Sequence, residues 1–185
     1  MSLISNTKKF IPFFILLFCN ISLMAQEPAT NVVNIVFPPG IEKLNDQQIN
    51  NYIGQDVKKF WEINRMHQSH MDIYRIKGTV ISLWSFTMPN KLKGSLASTK
   101  GDKIKAISSR YNIEYTKIVS VNNISYVVIK YVNAEHVCFG FYSEWLPVTD
   151  TTRVGFANGY LETTKDNEKN TEGTLLTILN GIHRK

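Results

Sequence analysis

The feature that most constrains the fold is the apolar run ISYVVIKYV at residues 124–132. A strand that is apolar on both faces is typical of the centre of a sheet. Asn122-Asn123 precedes the run and Asn133-Ala134-Glu135 follows it, and these residue types favour tight turns. The segments beyond both turns also have strand patterns, so the sequence predicts a three-stranded antiparallel meander over residues 113–145.

The outer strands of this meander each have a predicted buried face, because side chains alternate between the two sides of a strand. In the first strand, apolar and polar residues alternate, and the predicted buried side chains are Ile113, Tyr115, Val119 and Val121. In the third strand, the same period predicts a face made of Val137, Phe139 and Phe141.

The rest of the chain predicts further strands and helices. Strands are expected at residues 31–37, 71–76, 79–88 and 154–161, the last as one strand with a glycine bulge. Helical spacing of apolar residues predicts a helix capped by Asn45 that continues to residue 62, a short helix near Ile104 and a closing helix over residues 175–182. The predicted fold class is α+β, an antiparallel sheet of about six strands packed with an N-terminal and a C-terminal helix.

The first 25 residues have the layout of a secretory signal peptide. Lys8 and Lys9 form a positive start, and Phe10–Phe18 is an apolar core interrupted only by a proline. A stretch ending at Ala25 then offers the small residue that a signal peptidase requires, so cleavage is expected there.

Two alternatives to cleavage at Ala25 are a membrane anchor and a lipoprotein. The apolar run is shorter than the ~20 residues that a spanning helix needs. Cys19 follows Phe18, whose bulk disfavours lipid attachment. The interpretation is a signal peptide at residues 1–25 and a single α+β domain at residues 26–185, located in the periplasm or secreted.

Composition narrows the function classes. Apolar residues make up 43% of the chain, which is sufficient for a sizeable core. The net charge of +6 would fall by two with the loss of Lys8 and Lys9. Such a mild, dispersed charge in an exported protein does not indicate a nucleic-acid partner. After cleavage Cys138 would be the remaining cysteine, so no internal disulfide is expected, and a buried small hydrophobe is favoured over a reactive thiol.

Three segments together resemble the PsbP/DcrB-like superfamily of small exported domains. They are VNIVFPPGIEKLNDQQI at residues 33–49, VNNISYVVIKYV at residues 121–132, and VGFANGYLETT with TEGTLLTILNGIH at residues 154–183. The resemblance implies a PsbP-like α/β/α sandwich. It also implies an accessory or docking role, since the group has no shared catalytic residues. Fold likeness alone does not assign a function.

The segment RMHQSHMD is the strongest candidate for chemistry. His67 and His70 are three residues apart, so on a continuing helix both imidazoles would share one face. Together with His136 and Cys138, which lie on one side of a strand, they could bind zinc or copper. The alternative is a polar linker. His136 and Cys138 alone are a poor nucleophile and base pair, because positions two apart on a strand are about 6–7 Å apart at Cα.

A basic stretch follows the second predicted hairpin strand. It contains five lysines opposed by Asp102, namely Lys91, Lys93, Lys100, Lys103 and Lys105. Such a patch could bind an anionic protein partner, a polysaccharide or lipid headgroups at a membrane surface. The alternative is a solvated loop.

The expected function is that of an exported accessory or docking protein, which binds another envelope or secreted macromolecule and is not an enzyme. One alternative is a zinc- or copper-binding envelope protein that uses His67 and His70. Another is a hydrolase whose catalytic residues come together only in three dimensions. No cofactor is expected under the first hypothesis.

Overall fold

The computed structural model describes residues 26–27, 29–45, 47–49, 72–92, 94–132 and 136–185. Several sequence predictions fall outside these ranges. They are the signal peptide at residues 1–25 with Cys19, most of the helix expected up to residue 62, the pair His67 and His70, and Lys93. These stay predictions.

The beginning of the first predicted helix is described. Residues 47–49 are helical, and Asn45 Oδ1 accepts a hydrogen bond from the backbone N–H of Gln48 at 2.9 Å. The Gln48 Oε1 atom accepts in return from the backbone N–H of Asn45, also at 2.9 Å. This reciprocal pair satisfies two backbone donors at the helix start, so the prediction that Asn45 is the cap is confirmed.

The strands of the described residues form a nine-stranded sheet and a separate two-stranded sheet, with antiparallel pairing throughout. The strands are β1 (Gln26–Glu27), β2 (Val33–Ile35), β3 (Glu42–Lys43), β4 (Asp72–Ile76), β5 (Thr79–Pro89), β6 (Asn112–Val121), β7 (Ile124–Val132), β8 (His136–Ser143), β9 (Leu146–Pro147), β10 (Arg153–Thr164) and β11 (Ile182–Arg184). The large sheet has the order β3-β4-β5-β10-β8-β7-β6, with β1 beside β5 and β9 beside β10. β2 pairs with β11.

The predicted antiparallel sheet and α+β class are confirmed. β4 and β5 form the expected hairpin, and β6, β7 and β8 form the expected meander. The turn between β6 and β7 places Asn122 and Asn123 at φ of 52° and 59°, a region that asparagine tolerates better than most residues. The position of β10 was not predicted: it lies between β5 and β8 and so joins the hairpin to the meander.

The face predicted for β6 is partly wrong. The pairing of β6 with β7 shifts between Ile113 and Tyr115, so Glu114 is an extra residue in the strand. A β-bulge of this kind turns the side chains on either side of it to opposite faces. Ile113 therefore packs with the second core cluster, whereas Tyr115, Val119 and Val121 pack with the first.

β10 is a single strand, as predicted, but the predicted glycine bulge is wrong. Its pairing with β5 runs without a shift from Arg153 to Glu162, through both Gly155 and Gly159. The glycines serve packing instead. A Cβ at Gly159 would lie 2.4 Å from Cζ of Phe141, and one at Gly155 would lie 2.6 Å from Cγ1 of Val32. Neighbouring side chains occupy the space above each glycine.

The first face of the sheet carries the larger core. The predicted face of β8, made of Val137, Phe139 and Phe141, lies fully buried in it. Helix α2 (Glu168–Gly181) covers this face with Leu175, Ile178 and Leu179. The predicted closing helix is confirmed, but it ends one residue before Ile182, which pairs with Ile35 in the small sheet.

The second face is covered by helix α1 (Leu96–Ser108). Ser95 caps this helix, since its Oγ accepts a hydrogen bond from the backbone N–H of Ser98 at 3.1 Å. The short helix predicted near Ile104 therefore begins eight residues earlier. Ile104 and Ile107 pack against the sheet, and helices on opposite faces make an α/β/α sandwich. Within the described ranges, none of the helices is both long and apolar enough to cross a bilayer.

Candidate functional site

A cleft of about 380 Å³ lies between the C-terminal end of α1 and the second face of the sheet. Its walls contain four tyrosines from four separate parts of the chain, namely Tyr111, Tyr131, Tyr142 and Tyr160. Lys103, Ala106, Ile107, Ser109 and Arg110 complete the lining. We refer to these nine residues as the tyrosine cleft.

Strand pairing brings three of the tyrosines together. Tyr131 and Tyr142 are buried on β7 and β8, and Tyr160 is half-buried on β10. The Tyr142 hydroxyl donates a hydrogen bond to the Tyr160 hydroxyl at 3.0 Å, and the two rings meet edge to face at 6.0 Å between centroids. Tyr111 follows α1 and packs on Tyr131 at 5.2 Å between centroids. Edge-to-face and tilted aromatic pairs of this kind are favourable and hold the rings in place.

The tyrosine hydroxyls act as neutral hydrogen-bonding groups. Burial raises the pKa of Tyr131 and Tyr142 well above the ordinary tyrosine value, and burial also raises the pKa of Tyr160. Because desolvation disfavours the phenolate, these groups stay protonated at physiological pH. The cleft therefore offers hydroxyl groups and ring faces, but its tyrosines do not supply a base.

Lys103 is the partly buried cation of the cleft. Its Nζ lies 4.7 Å from the centroid of the Tyr142 ring, a cation–π arrangement. Burial lowers the pKa of Lys103, and the negative charge of Asp102 opposes this shift only in part. Among the described residues, no carboxylate forms an ion pair with Lys103 or with Arg110. The described lining of the cleft thus has two cationic groups and no acidic side chain.

The predicted lysine patch is divided in the structure. Lys103 lines the tyrosine cleft, and Lys100 and Lys105 lie elsewhere on α1, half-buried and exposed respectively. Lys91 is exposed in the 3₁₀ turn Asn90–Leu92 that follows β5. Lys93 lies outside the described residues. Of the described patch, the site therefore includes Lys103 alone.

Cys138 and His136 have separate partners. Cys138 is buried, and burial raises its thiol pKa far above the ordinary value, while a hydrogen bond with Tyr131 opposes the shift. His136 Nδ1 lies 3.3 Å from Glu162 Oε1 on the neighbouring strand. A protonated, buried thiol is a poor nucleophile, which fits the interpretation of Cys138 as a small hydrophobe.

The metal site stays a prediction. In the part of the chain that the structure describes, no group of three or more histidine, cysteine, aspartate or glutamate side chains is arranged to hold a metal ion. His67 and His70 lie outside that part, so their proximity to His136 and Cys138 is not tested.

Sequence reasoning missed the four tyrosines. The sequence patterns placed three of them on strands and Tyr111 at the end of a helix. Aromatic residues at such positions usually belong to the hydrophobic core. The sequence does not show that β10 lies beside β8, and this pairing is what brings Tyr160 next to Tyr142. The sequence signal available was the tyrosine content of the strands, which is informative only once the strand order is known.

The sequence matches no known family model and no curated protein. The fold, in contrast, matches the solution structure of the cyanobacterial PsbP protein, CyanoP, from Synechocystis sp. PCC 6803. The match covers 88% of this chain and 94% of that chain, with a TM-score of 0.50 and 9% sequence identity. The chain has a PsbP-like fold. At this level of identity the PsbP-like match concerns the architecture and not the activity.

Proposed function

We propose that this protein is an exported, non-catalytic accessory protein that docks on another macromolecule of the cell envelope. The observation that carries the proposal is the tyrosine cleft, a surface recess whose described lining combines aromatic rings with two cationic side chains and contains no carboxylate. Tyrosine and arginine are the residue types enriched where proteins recognise partners.

The protonation states favour binding over catalysis. Tyr131, Tyr142 and Tyr160 keep their protons because burial raises their pKa values, and Cys138 behaves in the same way. A general base would need a pKa near the working pH. Burial lowers the pKa of Lys103, but its Nζ lies over the ring of Tyr142 in a cation–π contact, which favours the charged form of the lysine.

The export part of the proposal depends on the leader. Lys8, Lys9 and the apolar core Phe10–Phe18 are the features that support it. Determining the first residue of the protein isolated from its cells tests this part. A protein that retains Met1 in the cytosol would contradict export.

Site-specific cross-linking in living cells tests the docking part. A photo-reactive benzoylphenylalanine at Ser109, on the lining of the cleft, should give an adduct of one defined mass with an envelope component. The matched control is the same amino acid at Thr151, an exposed position in the turn before β10, far along that strand from Tyr160. No adduct from position 109, or the same adducts from both positions, would refute docking through the cleft.

A further inference from the structure

Lys103 has no carboxylate partner among the described residues, unlike three other cations that are at least partly buried. Lys130 is bound by Glu114 and Glu168, Arg75 by Glu42 at 2.8 Å, and Lys117 by Glu172 at 3.4 Å. Lys103 is half-buried with its Nζ over the ring of Tyr142 and, within the described residues, has no such carboxylate. A desolvated ammonium group without an anion is costly, and the lowered pKa of Lys103 reflects that cost. An anion bound in the cleft would supply the missing partner.

Arg110 provides a second cationic group at the same cleft. It lies two residues after α1, whose C-terminal turn contributes Ala106 and Ile107 to the lining. Its guanidinium can bind a carboxylate through two parallel hydrogen bonds, a geometry that a lysine cannot provide. Lys103 and Arg110 therefore favour a planar anionic group over a neutral one.

The tyrosines determine which uncharged group the anionic ligand can carry. Tyr142 and Tyr160 are held at a fixed edge-to-face angle of 82°, and Tyr111 and Tyr131 form a second ring pair. Ring faces favour a flat or ring-shaped apolar surface, and their hydroxyls favour a ligand with polar substituents. The volume of about 380 Å³ is at the small end of ligand pockets, so it suits a ligand of one substituted ring.

We propose that the tyrosine cleft binds a ring-bearing carboxylate, with its carboxylate between Lys103 and Arg110 and its ring against Tyr111 and Tyr160, the half-buried tyrosines of the lining. Both a sugar acid and an aromatic acid have this chemistry, whether free or as the end group of a larger partner. The inference rests on the proposed function in taking the cleft as the recognition surface. Binding is measured on the purified protein without a partner, so its failure is distinguishable from a failure of cross-linking.

Two-dimensional NMR of the isotope-labelled protein tests the proposal with defined probes. D-glucuronate represents the sugar acids and 4-hydroxybenzoate the aromatic acids, with D-glucose and phenol as their uncharged counterparts and inorganic phosphate as an anion without a ring. We expect saturable shifts of the backbone amides of Lys103, Tyr111, Tyr131, Tyr142 and Tyr160 with at least one acid. The acid that binds more tightly identifies the source of the ligand.

Three variants separate the role of Lys103 from general charge. Lys103→Gln should weaken binding of the acid by about tenfold or more, as expected for loss of one charge-assisted hydrogen bond. Lys105→Gln is the matched control, because it removes the same charge from an exposed position of the same helix and should leave binding unchanged. Lys103→Arg should retain most of the binding, since it keeps the charge.

Four results would overturn the proposal. They are no saturable shift with either acid, equal binding of the uncharged counterparts, equal binding of inorganic phosphate, and equal weakening by Lys103→Gln and Lys105→Gln. If Lys103→Gln were to unfold the protein, Lys103→Arg and the comparison of charged with uncharged probes would still decide the question.

Discussion

Gly181, the last residue of α2, makes the tightest backbone contact of any glycine in the described chain. A Cβ at this position would lie 2.0 Å from the carbonyl oxygen of Val36, a backbone atom that no rotamer change can move. The same two residues are joined by a hydrogen bond of 2.8 Å from the Val36 N–H to the Gly181 carbonyl. The contact holds the end of α2 against the segment that follows β2. Gly181→Ala therefore forces these two backbones apart.

The cost of Gly181→Ala follows from this geometry. Side-chain carbons do not approach an oxygen closer than about 3 Å, so one backbone must move by about 1 Å, and overpacking of this kind typically costs about 1–3 kcal/mol. Alanine regains about 0.5–1 kcal/mol over glycine through its helix propensity. The shift also weakens the pairing of Ile182 with Ile35, which begins one residue later. We expect a net loss of about 2 kcal/mol, or about 4–8 °C in melting temperature.

Gly173→Ala is the matched control, because Gly173 lies in the same helix. Gly173 is exposed, and a Cβ there would have no other atom within 4 Å. The variant should therefore be more stable than the original protein by about 0.5–1 kcal/mol. Urea denaturation followed by circular dichroism gives both free energies of unfolding. If Gly181→Ala unfolds at the same or a higher urea concentration than the original, or if both variants shift together, the packing argument is wrong.

Three further predictions concern charged and buried groups. Lys130, whose side chain is 10% exposed, binds Glu168 at 2.5 Å. Lys130→Ala leaves that carboxylate without its partner, so it should lower the free energy of unfolding by about 2 kcal/mol in the same urea assay. Lys130→Met keeps the apolar stem of the side chain and should lower the free energy of unfolding by less. The thiol of Cys138 should not react with an aromatic disulfide reagent at neutral pH until the protein unfolds, because burial raises its pKa, and stoichiometric reaction of the folded protein would contradict this. Affinity for the bound acid should fall as the pH rises from about 7 to about 10. Because its pKa is lowered, Lys103 loses its positive charge at a lower pH than an ordinary lysine does. Lys103→Arg keeps its charge over this range, so its affinity should not fall.

Much of the fold is predictable from local patterns. The β7 strand is recognisable as apolar on both faces, and Asn122-Asn123 mark the turn before it, because both features depend on neighbouring residues only. The bulge at Glu114 is not predictable in this way, since an alternating pattern continues through it and only the pairing with β7 shows the shift. Lys130 is a similar case. It interrupts an apolar strand, and the glutamates that bind it come from β6 and α2.

The site is less predictable than the fold, because its residues converge only through strand order. Lys103 was singled out from the sequence as one of five lysines, but nothing in the sequence distinguishes it from Lys105. The distinction arises because Lys103 faces the sheet and meets the ring of Tyr142, a residue 39 positions later in the chain. Contacts between such distant residues depend on topology, which local periodicity does not encode.

The central position of β10 has a consequence for the order of assembly. The hairpin β4–β5 and the meander β6–β8 can each form from consecutive residues, but they become one sheet only when residues 153–164 insert between them. These residues follow both the hairpin and the meander in the chain, and folding slows when essential contacts join distant parts of a chain. A chain still being synthesised therefore lacks the strand that unites its two halves. Formation of the complete sheet therefore waits for β10, the strand with the longest-range pairing partners of the hairpin and the meander.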